Sequence, residues 1–87
     1  MEFNKILMGV SEGRLRNSYY LTERSTDMGT VFGVTVKNDE TENSIDGLFE
    51  DREEAELFVR MLLKNDVSPI HLFAAADDHI GRLCFEQ

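Results

Sequence analysis

The stretch Asp51–Phe73, DREEAELFVRMLLKNDVSPIHLF, decides the fold, because in it one patterned helix ends and a second begins. Asp51 is suited to an N-cap: its short carboxylate can accept from the N–H groups left unpaired in a first helical turn. Glu54 stands three residues on, where a capping-box partner belongs. With Glu53, these acids sit near the positive end of the helix dipole. At a step of about 100° per residue, Ala55, Phe58, Val59 and Leu62 share one stripe, flanked by Leu57 and Met61 on one side and Leu63 on the other. Glu56, Arg60 and Lys64 form the narrow solvated strip. So wide an apolar arc predicts that the helix packs on a sheet and also on the C-terminal segment.

Asn65 and Asp66 are expected to end this helix, with Asn tolerating the left-handed conformation of a C-terminal cap. Ser68-Pro69 reads as the N-cap and first position of a second helix, where the missing N–H of proline costs nothing. Leu72, Phe73, Ala76, Ile80 and Leu83 then share one face, and Asp78 and Arg82 pair on the other. This spacing favours a helix over a short edge strand at Pro69–Phe73.

Upstream of the helix the pattern changes to a period of two. Thr30–Lys37 sets Phe32, Val34 and Val36 against Val31, Gly33 and Thr35, which is the pattern of a half-buried strand. Lys5–Ser11 and Asn17–Arg24 form two further strands around a Glu12-Gly13 turn, and Tyr19 and Tyr20 alternate across the second of them, one towards the core and one away. Ser44–Phe49 returns as a shorter strand after the polar loop 38–43. Tight connections favour antiparallel neighbours. The expected architecture is a single α+β domain over residues 1–87: an antiparallel meander of three to four strands, packed on one face by a helix, plus a C-terminal helix.

A chain of 87 residues supports one core and buries only about 60 to 65 % of its unfolded surface. Its 41 % hydrophobic content and six Phe suit a globular domain and not a disordered one. Cys84 is the only cysteine, so an intrachain disulfide is excluded and a reducing compartment is expected. The apolar run Ile6–Val10 is too short for a signal-peptide core or a membrane span. These features predict a cytoplasmic protein.

Net charge is −8, and all of it resides in one stretch: residues 39–56 hold nine acidic groups and one basic group. Such a field repels nucleic acid and anionic membrane and steers a basic protein towards the third strand and the helix start. Asp39, Glu40, Glu42 and Asp46, together with Tyr20 and Arg24, are therefore the candidate partner-binding residues.

The strand Tyr19-Tyr20-Leu21, the strand Val31–Val36, the acidic helix start before Ala55 and the block Val67-Ser68-Pro69-Ile70-His71-Leu72 together resemble a small family of uncharacterised proteins from Gram-positive, spore-forming anaerobes. The resemblance spans residues 17–80. As a domain of unknown function, that family implies no catalytic, cofactor or metal-binding residues.

Candidate chemistry is sparse. His71 is placed to hydrogen-bond the end of the preceding helix, where a cationic imidazole meets the negative end of the dipole; no nucleophile or orienting acid accompanies it in a motif. Adjacent helical residues point about 100° apart, so Asp77-Asp78-His79 is read as a solvated face and not as a metal site. Residues 39–50 have the length of a calcium loop, but Ser44 replaces the turn glycine and Thr41 an acid or amide. Neither GxGxxG nor GxxxxGK occurs. No enzyme, cofactor or metal is expected. The expectation is a small interaction module that binds a protein partner or a second copy, with an acidic inhibitor mimicking nucleic-acid phosphates as the alternative.

Overall fold

The computed structural model describes residues 3–13 and 16–85, with side chains through His79. Four strands, β1 (Phe3–Val10), β2 (Ser18–Thr26), β3 (Gly29–Lys37) and β4 (Glu42–Phe49), form an antiparallel meander in chain order. Helix α1 (Arg52–Lys64) crosses one face, and a 3-10 turn at Pro69–His71 leads into helix α2 (Leu72–Phe85). This is the expected α+β architecture with the upper strand count.

The two periodicities meet in the core. Tyr19 and Leu21 from β2, Phe32, Val34 and Val36 from β3, and Phe49 at the end of β4 face Ala55, Phe58, Val59 and Leu62 of α1, all buried. Leu72 and Ala76 of α2 close one end. At that end the ring of His79 lies 5.1 Å from Phe58 and 6.0 Å from Phe49, centroid to centroid. The C-terminal segment thus supplies the second contact that the wide apolar arc of α1 requires. Its buried stripe is Leu72, Ala76 and half-buried His79, and Phe73, about 100° off that stripe, is 54 % exposed instead of sharing it. The expected places of Ile80, Leu83 and the Arg82 partner of Asp78 fall outside the described side chains.

Asp51 caps α1 by accepting from the Glu53 N–H at 3.2 Å. The other end differs from expectation: Asn65 keeps φ at −95°, and Asp66 takes the left-handed conformation at φ +50°. The Val67 N–H donates to the Leu62 carbonyl at 3.0 Å and the Asp66 N–H to the Leu63 carbonyl at 3.2 Å, which is the Schellman pattern. Asp66 is selected by its side-chain partner, since Oδ1 accepts from Asn17 Nδ2 at 3.0 Å. Asn65 instead donates its amide to the Met61 carbonyl.

Close approach fixes two glycines. A Cβ at Gly13 would collide with the Asp66 carboxylate, and one at Gly33 would collide with the Ile45 carbonyl where the β3–β4 register shifts. Both contacts pin loops or strand irregularities to the framework.

Candidate functional site

Pairing register assigns the side chains to two faces. Residues opposite Phe32, Val34 and Val36 point towards α1; those opposite Val31, Gly33 and Thr35 point away. The face away from the helix receives Phe3, Lys5, Leu7 and Val10 from β1, Tyr20, Thr22 and Arg24 from β2, Lys37 from β3, and Glu42, Ser44 and Asp46 from β4.

Its centre is closed by the chain's own polar side chains. Lys5 lays its ammonium 4.6 Å from the centre of the Tyr20 ring and 3.0 Å from Glu42, so one side chain spans the face from β1 to β4. This arrangement holds the Glu42 carboxyl below its ordinary range, chiefly through the Lys5 hydrogen bond and charge. Arg24 Nε approaches Asp46 Oδ2 at 2.8 Å as an ion pair, although its N–H is not aligned on the oxygen as a hydrogen bond. Thr22 and Thr35 are each only 2 % exposed, and the Thr35 hydroxyl shares a 2.7 Å hydrogen bond with Ser44. Thr35 is therefore not an accessible surface residue, contrary to its outward place in the alternating pattern.

Four of the six candidate residues, Tyr20, Arg24, Glu42 and Asp46, come together on this face. Asp39 and Glu40 lie off it, exposed in the β3–β4 turn. The acidic stretch does not form one clustered edge: Asp39 and Glu40 are separated from Glu50, Asp51, Glu53 and Glu54 by the length of β4, roughly 25 Å for eight extended residues. Glu42 and Asp46, between the two groups, are neutralised by Lys5 and Arg24.

The large exposed apolar side chains of this face are concentrated on one strand. Phe3, Leu7 and Val10 of β1 are 57 %, 54 % and 46 % accessible.

A second polar cluster, which sequence reasoning missed, ties three connections together near the end of α1. Asn38 Oδ1 accepts from the Glu40 and Thr41 N–H groups, its amide donates to Asn17 Oδ1, and Asn17 donates to Asp66. The Tyr19 hydroxyl donates to the Val67 carbonyl at 2.9 Å. Burial pushes the Tyr19 phenol up, against the lowering influence of Asn17 and Ser11. The signal available in the sequence was Asn38 ahead of Asp39-Glu40-Thr41, an Asx-turn pattern.

His71 does not reach the helix end. Its Nδ1 pairs with Ser68 Oγ at 2.8 Å, at the surface. Among the described residues, no three His, Cys, Asp or Glu side chains are placed to share a metal ion. Cys84 lies outside the described side chains. No helix among the described residues is long and apolar enough to cross a membrane.

Fold and face together define a small α+β domain with a helix-sealed core and one bare sheet face. The chain belongs to the family of unknown function DUF6514, whose model matches residues 1–82. That match extends beyond both ends of the 17–80 span read from the sequence motifs. No curated protein and no solved structure matches the chain.

Proposed function

We propose that this chain is a non-catalytic protein-interaction module, working in a reducing compartment such as the cytoplasm, whose contact surface is the bare sheet face along β1. The observation that carries this reading is the gathering of Phe3, Leu7 and Val10, all exposed, on one strand of the one face that no helix covers. Large apolar side chains grouped in this way mark contact surfaces more often than scattered ones do. Asp39 and Glu40 at one end of β4, and Glu50 to Glu54 at the other, give the surroundings a negative field that favours a partner with basic groups at its rim. The alternative, imitation of a nucleic-acid backbone, has less support because Glu42 and Asp46 already have cationic partners within the chain.

The test compares the tagged chain with a Phe3→Asp, Val10→Asp double variant, both incubated in native lysate of the producing organism and analysed by size. Retention of a protein, or of a second copy, by the parent and its loss in the variant is the expected result. Equal retention by both, or a parent that is monomeric and retains nothing, overturns the reading.

A further inference from the structure

The outer strands of the sheet are β1 and β4, and they are not equivalent. The Pro69–His71 turn is fastened to β4 by the Asn43 amide, which donates to the Pro69 carbonyl at 2.9 Å. β4 also carries Glu42 and Asp46 and is followed by Glu50. In β1, residues 3–10 contain no carboxylate and a single charge, Lys5, whose ammonium is already answered by Glu42. An edge strand presents a row of unpaired N–H and C=O groups and so accepts another strand; charged residues and bulges are what usually discourage it. β1 has one bulge, between Leu7 and Gly9, so residues 3–7 remain regular. In a chain of net charge −8, this is the edge where a second copy meets least repulsion.

We propose that β1 pairs antiparallel with β1 of a second copy, in a register centred on Ile6, joining two meanders into one eight-stranded sheet. The inference rests on the interaction reading above and names its partner. Opposed residues in antiparallel strands point to the same face, so only registers that keep faces matched are allowed. Of these, the register centred on Lys5 pairs residues 3–7, and the one centred on Ile6 pairs residues 5–7 before the bulge and 3–9 across it. The register centred on Lys5 sets the two Lys5 side chains directly opposite, about 5 Å apart at Cβ, which is unfavourable for like charges. The register centred on Ile6 sets Ile6 against its counterpart and Leu7 beside the aliphatic stem of Lys5 from the second copy. Ile6 is half-buried and outside the main core cluster, so it has apolar surface left to bury. The twofold axis then runs perpendicular to the sheet, and both α1 helices lie on the same side.

Sedimentation equilibrium of the full chain, from about 10 μM to about 1 mM, spans the range in which a small interface of this kind assembles. The parent is expected to rise from monomer to dimer mass. Leu7→Lys, which sets a second cation beside Lys5 of the other copy, should weaken the dimer at least about tenfold, or ~1.4 kcal/mol. Leu7→Glu should leave it unchanged or tighter. Leu7 is 54 % exposed, and unchanged thermal melts of dilute samples will show that both variants fold. In a Cys84→Ser background, Ile6→Cys should give a disulfide-linked dimer on mild oxidation and Leu7→Cys should not, because only Ile6 faces itself. A dimer indifferent to Leu7→Lys, equal weakening by Lys and Glu, or cross-linking through position 7 instead of 6 overturns the proposal. A parent that stays monomeric at about 1 mM also overturns it; if that monomer retains a different protein through Phe3 and Val10, the interaction reading survives with another occupant.

Discussion

Tyr19 and Tyr20 are neighbours in β2, yet they belong to two different ways of closing a sheet. Tyr19 points to the helix side, is fully buried, and spends its hydroxyl on the Val67 carbonyl. Tyr20 points to the other side and is half-covered, beneath the ammonium of Lys5. One face is sealed by a separate element whose apolar stripe interdigitates with the sheet. The other is roofed by long polar side chains of the sheet itself, held by ion pairs that water can replace at little cost. Folding free energy should therefore come overwhelmingly from the first face, leaving the second free to be exchanged for a partner.

The largest expected effect tests the sealed face directly. Leu62 is fully buried between α1 and the sheet, so Leu62→Ala removes packed methyl groups and leaves a cavity. Urea denaturation should show a loss of about 3 kcal/mol. Phe3→Ala on the bare face should stay within about 0.5 kcal/mol, and similar losses at the two positions would contradict the contrast. Next comes Gly33, on the bare face but at the β3–β4 irregularity. A side chain there meets the backbone carbonyl of Ile45, which cannot swing aside. Gly33→Val is expected to cost about 2 kcal/mol, so that backbone proximity, and not apolar burial, is what the bare face contributes to stability.

The two faces also differed in how far the sequence disclosed them. The sealed face was legible because burial leaves a local record: Phe32, Val34 and Val36 at a spacing of two, and Ala55, Phe58, Val59 and Leu62 at helical spacing. The bare face was not: Thr35, only 2 % exposed, lies between Tyr20 and Ser44 in the sheet, and Lys5 stretches over Tyr20 to Glu42, 37 residues further along. Nothing in the local pattern at Thr35 marks a cover that comes from elsewhere. The end of α1 was misread in the same way. Asn tolerates the left-handed conformation better on general grounds, but Asp66 holds it because Asn17, 49 residues away, supplies a hydrogen bond. Of the candidate partner-binding residues, Asp39, Glu40, Glu42 and Asp46 were grouped by charge alone, and the structure separates them: Glu42 and Asp46 lie on the face that also holds Tyr20 and Arg24, Asp39 and Glu40 in the turn. Phe3, Leu7 and Val10 were passed over because Phe3 falls outside the expected strand Lys5–Ser11, and the continuous apolar run Ile6–Val10 does not show which of its side chains share a face until the pairing register does.

A smaller effect distinguishes the two tyrosines. Tyr19→Phe leaves the Val67 carbonyl without its donor and should cost about 1 kcal/mol, while Tyr20→Phe should cost close to nothing. Alkaline titration sharpens the difference. The Tyr19 phenol is raised in the folded chain, chiefly by burial, so its contribution is complete below the unfolded value near pH 10 and is lost as pH climbs through the folded one. The parent should lose stability over that range by more than Tyr19→Phe does; parallel curves would mean that the hydroxyl is not held as described.

The smallest expected effect lies in the roof of the bare face. Glu42 is held below its ordinary value by Lys5, so its contribution is present above the unfolded glutamate value, near pH 4.3, and is lost as pH falls through the folded value. Lys5→Met keeps most of the stem over Tyr20 but removes the charge. Melting curves of parent and variant should differ by a small constant amount near neutral pH, and that difference should shrink below about pH 4.3 as Glu42 becomes neutral. Salt should reduce it at neutral pH as well, because both groups are exposed to solvent. A gap that persists undiminished on acidification would place the value of Lys5 in its contact with the Tyr20 ring and not in the ion pair. The roof would then be held by an aromatic contact that survives acid, and a partner docking on this face would have to displace the ring contact as well as the carboxylate.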